Sequence, residues 1–386
     1  MQESQRLKPT LLAPSATCCY GRLLGALCGI VGPSVPNLFP GRGKAAWTFN
    51  ASQRHSRLTV GPALSSYQTG SLPDGYPKLY MTSVLAEALP QEDPQVAKAA
   101  FSIRRTTCRA NGIRQFYLEA GAGPPVILLH GFPETSFAWR FQIPAIAPHY
   151  RVIAPDLRGY GETDKPSKGY DKRTMANDVV ALLETLGVGR VALVGHDRGA
   201  RVATRLVKDH PELVDRLVVM DNVPTRIVAR EMNAKVAREY WFFMFHQISD
   251  LPEALIRGRE DIWLRHFFSD WCHDPTTISG EAFETYVKAY SAPGAVRGAM
   301  SDYRASGEDI THDLEDADRK IGCPVLSLWG EDFEAVGRLF DMKAIWSEMA
   351  ENLSVAPIRN CGHLPQEEQP VVVNKLLLDF LRGWNG

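Results

Sequence analysis

Five short runs of almost unbroken apolar residues recur along the chain, each closed by glycine, proline or aspartate. They are Pro125–Leu129, Arg151–Ala154, Val191–Val194, Leu217–Met220 and Val325–Leu328. Runs that do not alternate apolar with polar residues suit strands covered on both faces, as in a parallel sheet. Helical periods lie between them, at Met175–Leu186 and Arg201–Lys208. Strand and helix in alternation predict an α/β domain with a mostly parallel, doubly wound sheet. From about Pro224 to Asp318 no strand-like run appears. Aromatic helical segments replace it, such as Glu239–Phe245 and Ile262–Phe268. Such an insertion is expected to form a lid, at about 225–318, over the carboxyl edge of the sheet, where ligands bind in this class.

The 386 residues, 45% apolar and 23% charged, suffice for one large domain or two smaller ones. A formal net charge of −1 gives no electrostatic case for nucleic acid or an anionic membrane. The seven cysteines, at 18, 19, 28, 108, 272, 323 and 361, form no C-x-x-C, so neither a disulfide framework nor a zinc site is indicated. No run approaches the ~20 apolar residues of a membrane-spanning helix. Residues 1–95 differ in texture. Between Glu3 and Asp74 there is no acidic residue, Arg, Ser, Pro and Gly are frequent, and one apolar block spans Leu23–Val31. A transit peptide, a signal peptide, a disordered extension and a true start at Met81 all stay open. The expected location is cytoplasmic, or mitochondrial if this segment is a transit peptide, with secretion the weaker alternative.

Gly195-His196-Asp197-Arg198-Gly199 follows an apolar run directly and opens a helix. This is the G-x-nucleophile-x-G elbow, with Asp where esterases carry Ser; a plain turn with Asp197 as helix cap is the competing reading. His130-Gly131-Phe132-Pro133 ends an earlier strand, where folds with this elbow place half of the oxyanion hole. Asp221 ends the strand after the nucleophile helix, and Cys361-Gly362-His363 lies near the C-terminus, where the general base is expected. The order nucleophile, acid, histidine fits this elbow. Glu331 and Asp332 close the next strand, so Asp332 is the alternative acid.

A carboxylate is ionised at neutral pH without help from a base. It can displace a halide or open an epoxide at a saturated carbon, forming an ester with the enzyme. His363 would then activate water against the carbonyl carbon of Asp197, with the backbone N–H groups of Phe132 and Arg198 holding the oxyanion. Arg198 and Arg201, one helical turn apart, can face one side and clamp a substrate carboxylate; salt bridging on the helix surface is the alternative.

From about Phe101 onward the chain resembles the α/β-hydrolase group that joins haloacetate (fluoroacetate) dehalogenases and epoxide hydrolases. The shared motifs are His130-Gly131-Phe132-Pro133, Pro155-Asp156-Leu157-Arg158-Gly159-Tyr160-Gly161 and Gly362-His363. Gly195–Arg201 is similar to the haloacetate branch, whose two arginines bind substrate carboxylate. The resemblance favours Asp221 as the acid. It implies that Tyr303, in Ser301-Asp302-Tyr303-Arg304, hydrogen-bonds the leaving group. Trp241 falls where dehalogenases carry a His-Trp pair, so it is either a leaving-group donor or lid core. His196 and Asp156 read as structural, His246 and His266 as lid residues.

The chain is thus expected to be a 2-haloacid hydrolase, with epoxide hydrolysis the alternative. A non-catalytic small-molecule binding protein is more remote, since it needs neither Asp197 nor His363. The catalytic domain is expected over 96–386, without metal or cofactor. The partners expected are a small-molecule substrate and, at most, a second copy of the chain as a homodimer.

Overall fold

The computed structural model describes residues 102–386; residues 1–95, with their targeting and start-site readings, lie outside them. Eight strands form one sheet: β1 (Arg104–Ala110), β2 (Ile113–Ala120), β3 (Pro125–Leu129), β4 (Arg151–Pro155), β5 (Val191–His196), β6 (Val214–Met220), β7 (Val325–Gly330) and β8 (Leu353–Ile358). Their spatial order is β1-β2-β4-β3-β5-β6-β7-β8. β1 and β2 pair antiparallel, as do β2 and β4, and all other pairs are parallel.

The five apolar runs are β3 to β7. In β3, Val126 and Leu128 pack on one face of the sheet while Ile127 and Leu129 pack on the other. Burial on both faces is why these strands carry no polar alternation. The β1–β2 hairpin turns on Asn111-Gly112, both with positive φ (48° and 75°), the two-residue turn that asparagine and glycine favour.

Helices cover both faces. Lys172–Thr185 begins at Asp171, whose side chain accepts the Thr174 N–H. Asp197–Asp209 leaves the end of β5 and is buried along most of its length. Between β6 and β7 a run of helices, from Thr225–Arg230 to Ser306–Glu315, forms the lid. Its aromatic residues join the core cluster on that face of the sheet, so the lid is packed onto the domain.

Candidate active site

The turn from β5 into the helix at Asp197 is a strained elbow. Asp197 has φ 43°, in the left-handed region that non-glycine residues rarely occupy and that functional sites retain. The flanking glycines are required by space. A Cβ on Gly195 would lie 2.6 Å from the Gly199 carbonyl oxygen, and one on Gly199 would lie 2.3 Å from that of Leu129. At Gly131 a Cβ would come within 2.6 Å of the Asp197 Cβ, so the His130-Gly131-Phe132 loop can pass beside Asp197 only without a side chain. As a result the Phe132 N–H donates to Asp197 Oδ2 at 3.0 Å.

Burial raises the Asp197 carboxyl, but His363, Arg198, His196 and Arg201 outweigh it, in that order, and hold it below the usual carboxylate range. Asp197 is therefore an anion at neutral pH. His363 Nδ1 lies 2.5 Å from Asp221 Oδ2, and the other Asp221 oxygen accepts the Gly330 N–H at 3.1 Å. The imidazole is packed between Trp271 and Phe333, with ring centroids 4.8 and 4.6 Å away. Of the two candidate acids the structure brings only Asp221 to the histidine. Asp332 is partly exposed and pairs with His273 and Arg338, each at 2.9 Å.

His196 sits beneath the site. Its Nδ1 bonds Glu134 at 2.9 Å and its Nε2 donates to the His363 carbonyl at 2.7 Å. Burial alone would lower it, yet Glu134, Asp197 and Asp221 carry it up to about 9. A histidine raised above its ordinary 6.5 stabilises the fold fully below that value and loses the contribution as pH climbs through 9. The melting temperature is therefore expected to fall between pH 7 and 10, measured by thermal unfolding, and His196→Gln to flatten that slope. An unchanged slope would mean that His196 is neutral.

Asp197, Arg198, Arg201, Tyr303 and His363 line one narrow, partly enclosed cavity between sheet and lid. The arginines are not equivalent. Arg198 Nε and Nη2 grip Asp302 at 3.0 and 2.7 Å, leaving Nη1 without a partner among the described residues. Arg201 donates through Nη1 to the Thr225 hydroxyl at 2.5 Å, its Nε is unpartnered, and no carboxylate pairs with it among the described residues. Burial, and then the neighbouring Arg198, lower its pKa.

One expectation is corrected. Trp241 does not line this cavity: it is 42% exposed and stacks on Phe267, with centroids 6.1 Å apart. The helix Trp241–Gln247 turns Phe242 and Phe243 inward, and Trp241 and Met244 toward solvent. Tyr240, one residue earlier, faces the cavity instead. Residue count alone could not find it, because the helix phase is set by lid packing. Phe333 was also missed. His246, read as a lid residue without a role, is fully buried against Tyr303, with centroids 4.6 Å apart, and burial holds it neutral, at about 3. No cluster of three or more metal-ligating side chains occurs among the described residues.

Residues 124–250 match the family described as alpha/beta hydrolase fold. A soluble epoxide hydrolase of Corynebacterium sp. (strain C12) is 38% identical over 274 residues, spanning 70% of this chain and 94% of that protein. A fluoroacetate dehalogenase of Burkholderia sp. is 36% identical over 271 residues, spanning 68% and 88%. Among solved structures, the ligand-free epoxide hydrolase CorEH superposes with a TM-score of 0.69 at 37% identity, over 72% of this chain and 99% of that one. The chain belongs to the α/β-hydrolase family, in the group that includes epoxide hydrolases and fluoroacetate dehalogenases.

Proposed function

We propose that the chain hydrolyses a small 2-haloacid through an ester on Asp197. With Oδ2 held by the Phe132 amide, Oδ1 attacks the saturated carbon, the carbon–halogen bond breaks, and halide leaves toward Tyr303. His363, oriented by Asp221, takes a proton from water, and the hydroxide adds to the Asp197 carbonyl carbon. The Phe132 and Arg198 amides carry the oxyanion. Collapse expels the alkoxide, which regains a proton from His363 as the 2-hydroxy acid. The new Asp197 carboxylic acid, holding one oxygen from water, then ionises. Residues 96–386 form the catalytic domain in this reading, with 225–318 as its lid.

The observation that carries the choice of substrate is Arg201. A buried guanidinium beside the nucleophile, with no carboxylate paired to it among the described residues, fits a ligand that supplies the anion. The fluoroacetate dehalogenase among the relatives is in keeping with this. A charge-assisted bond of about 1.5–3 kcal/mol is at stake. Arg201→Gln is expected to lower kcat/KM for a 2-haloacid by roughly 10- to 100-fold, and that for a neutral epoxide much less. Equal losses would remove the carboxylate role.

Epoxide hydrolysis by the same ester is the second reading. Two tyrosines, Tyr240 and Tyr303, line the cavity, a residue type that can protonate an opening epoxide oxygen, and a relative carries that name. Halide release from haloacids against diol formation from epoxides, measured side by side, decides between the two.

A further inference from the structure

The lid brings two carboxylates, Asp302 and Asp309, to a patch of the core that holds three cations, Lys172, Arg198 and Arg201. Asp302 is wholly buried and collects partners from three separate core segments. These are Arg198 through Nε and Nη2, the Lys172 ammonium, and the Tyr160 hydroxyl at 2.7 Å. Asp309 accepts the Lys172 backbone N–H at 2.7 Å and lies 3.3 Å from its ammonium. Neither carboxylate bonds Arg201. The next lid residue, Tyr303, lays its ring on the Arg198 guanidinium, 4.4 Å from ring centroid to Cζ. Arg198 is thus held in plane by Asp302 and on one face by Tyr303.

Resting on the reading of Arg201 as a carboxylate receptor, we propose that Asp302 is a positioning residue. By fixing and neutralising Arg198 it sets Tyr303 against the departing group and leaves Arg201 as the charge that selects an anionic substrate. Without Asp302, Arg198 regains an uncompensated charge and torsional freedom, and Tyr303 loses the surface it rests on. Leaving-group stabilisation then suffers, while attraction for an anion does not. The effect belongs in kcat, whereas loss of Arg201 belongs in KM or kcat/KM.

The test uses the full chain with chloroacetate, measuring kcat and KM separately for Asp302→Asn, Asp302→Glu and Arg201→Gln. Asp302→Asn is expected to lower kcat by roughly 10- to 100-fold with KM unchanged or lower, and Asp302→Glu to recover a large part of kcat. A folded Asp302→Asn enzyme with unchanged kcat, or with a raised KM as its main defect, overturns the proposal. If Asp302→Asn does not fold, Tyr160→Phe, which removes one hydrogen bond to Asp302, is expected to lower kcat about threefold without raising KM; an unchanged kcat there also overturns it. A wild-type enzyme that opens epoxides and releases no halide refutes the carboxylate reading instead, and with it Arg201 as selector. The Tyr303 part then stands or falls on the kcat of Asp302→Asn for the epoxide.

Discussion

Asp197→Asn is expected to lower kcat by about 10⁴-fold or more while the protein folds normally and still binds a haloacid. A nucleophile that forms the covalent intermediate has no substitute nearby, and losses of that order follow its removal in other covalent enzymes. The amide is a far weaker nucleophile than the carboxylate, yet asparagine tolerates the positive φ of 43° that the elbow imposes. Its oxygen can keep the bond from the Phe132 amide. Removing the negative charge beside Arg201 should strengthen binding of an anion. The checks are turnover, a melting curve and haloacid binding on one preparation, with the intact mass excluding conversion of Asn back to Asp. Turnover within about tenfold of wild type would leave Asp197 without a nucleophilic role.

His363→Gln is expected to stop the cycle halfway. The first step, displacement by an already ionised carboxylate, needs no proton transfer. The second requires water to lose a proton, and a positioned general base contributes about 10²–10⁴-fold. The variant should therefore form the ester and hold it, so that the intact protein gains the mass of the substrate's carboxyalkyl group and steady-state turnover falls by about 10³-fold. Asp221→Asn should slow the same step, because Asp221 carries the 2.5 Å contact to His363 Nδ1. An inactive, folded His363→Gln protein that gains no mass would assign His363 to the first step.

The centre of the sheet was legible because β3 to β7 are buried on both faces, and that burial writes itself as unbroken apolar runs. β1 was not, since its residues are mostly exposed, and β8 is a partly exposed edge strand. The hairpin between β1 and β2 is marked only by the Asn111-Gly112 turn, where both residues have positive φ. Asp197, Asp221 and His363 could be picked out because each follows a strand in a fixed order, and the elbow glycines mark the close approach of backbones. The lid was harder. Its existence shows in the aromatic helical rhythm, but which side of a helix faces the cavity depends on packing between helices, so the sequence leaves Trp241 open as donor or lid core while Tyr240 is the residue that faces in. The Arg198–Asp302 pair spans 104 residues, and nothing local in either segment announces it.

In the proposed mechanism water attacks the enzyme's own carboxyl group and not the substrate carbon. A single turnover with enzyme in excess, in water enriched in heavy oxygen, tests it most directly, followed by mass analysis of the peptide that carries Asp197 and of the product. The expected result is heavy oxygen in the Asp197 carboxylate and an unlabelled first-turnover product. Label in that product with none in Asp197 would contradict the ester mechanism.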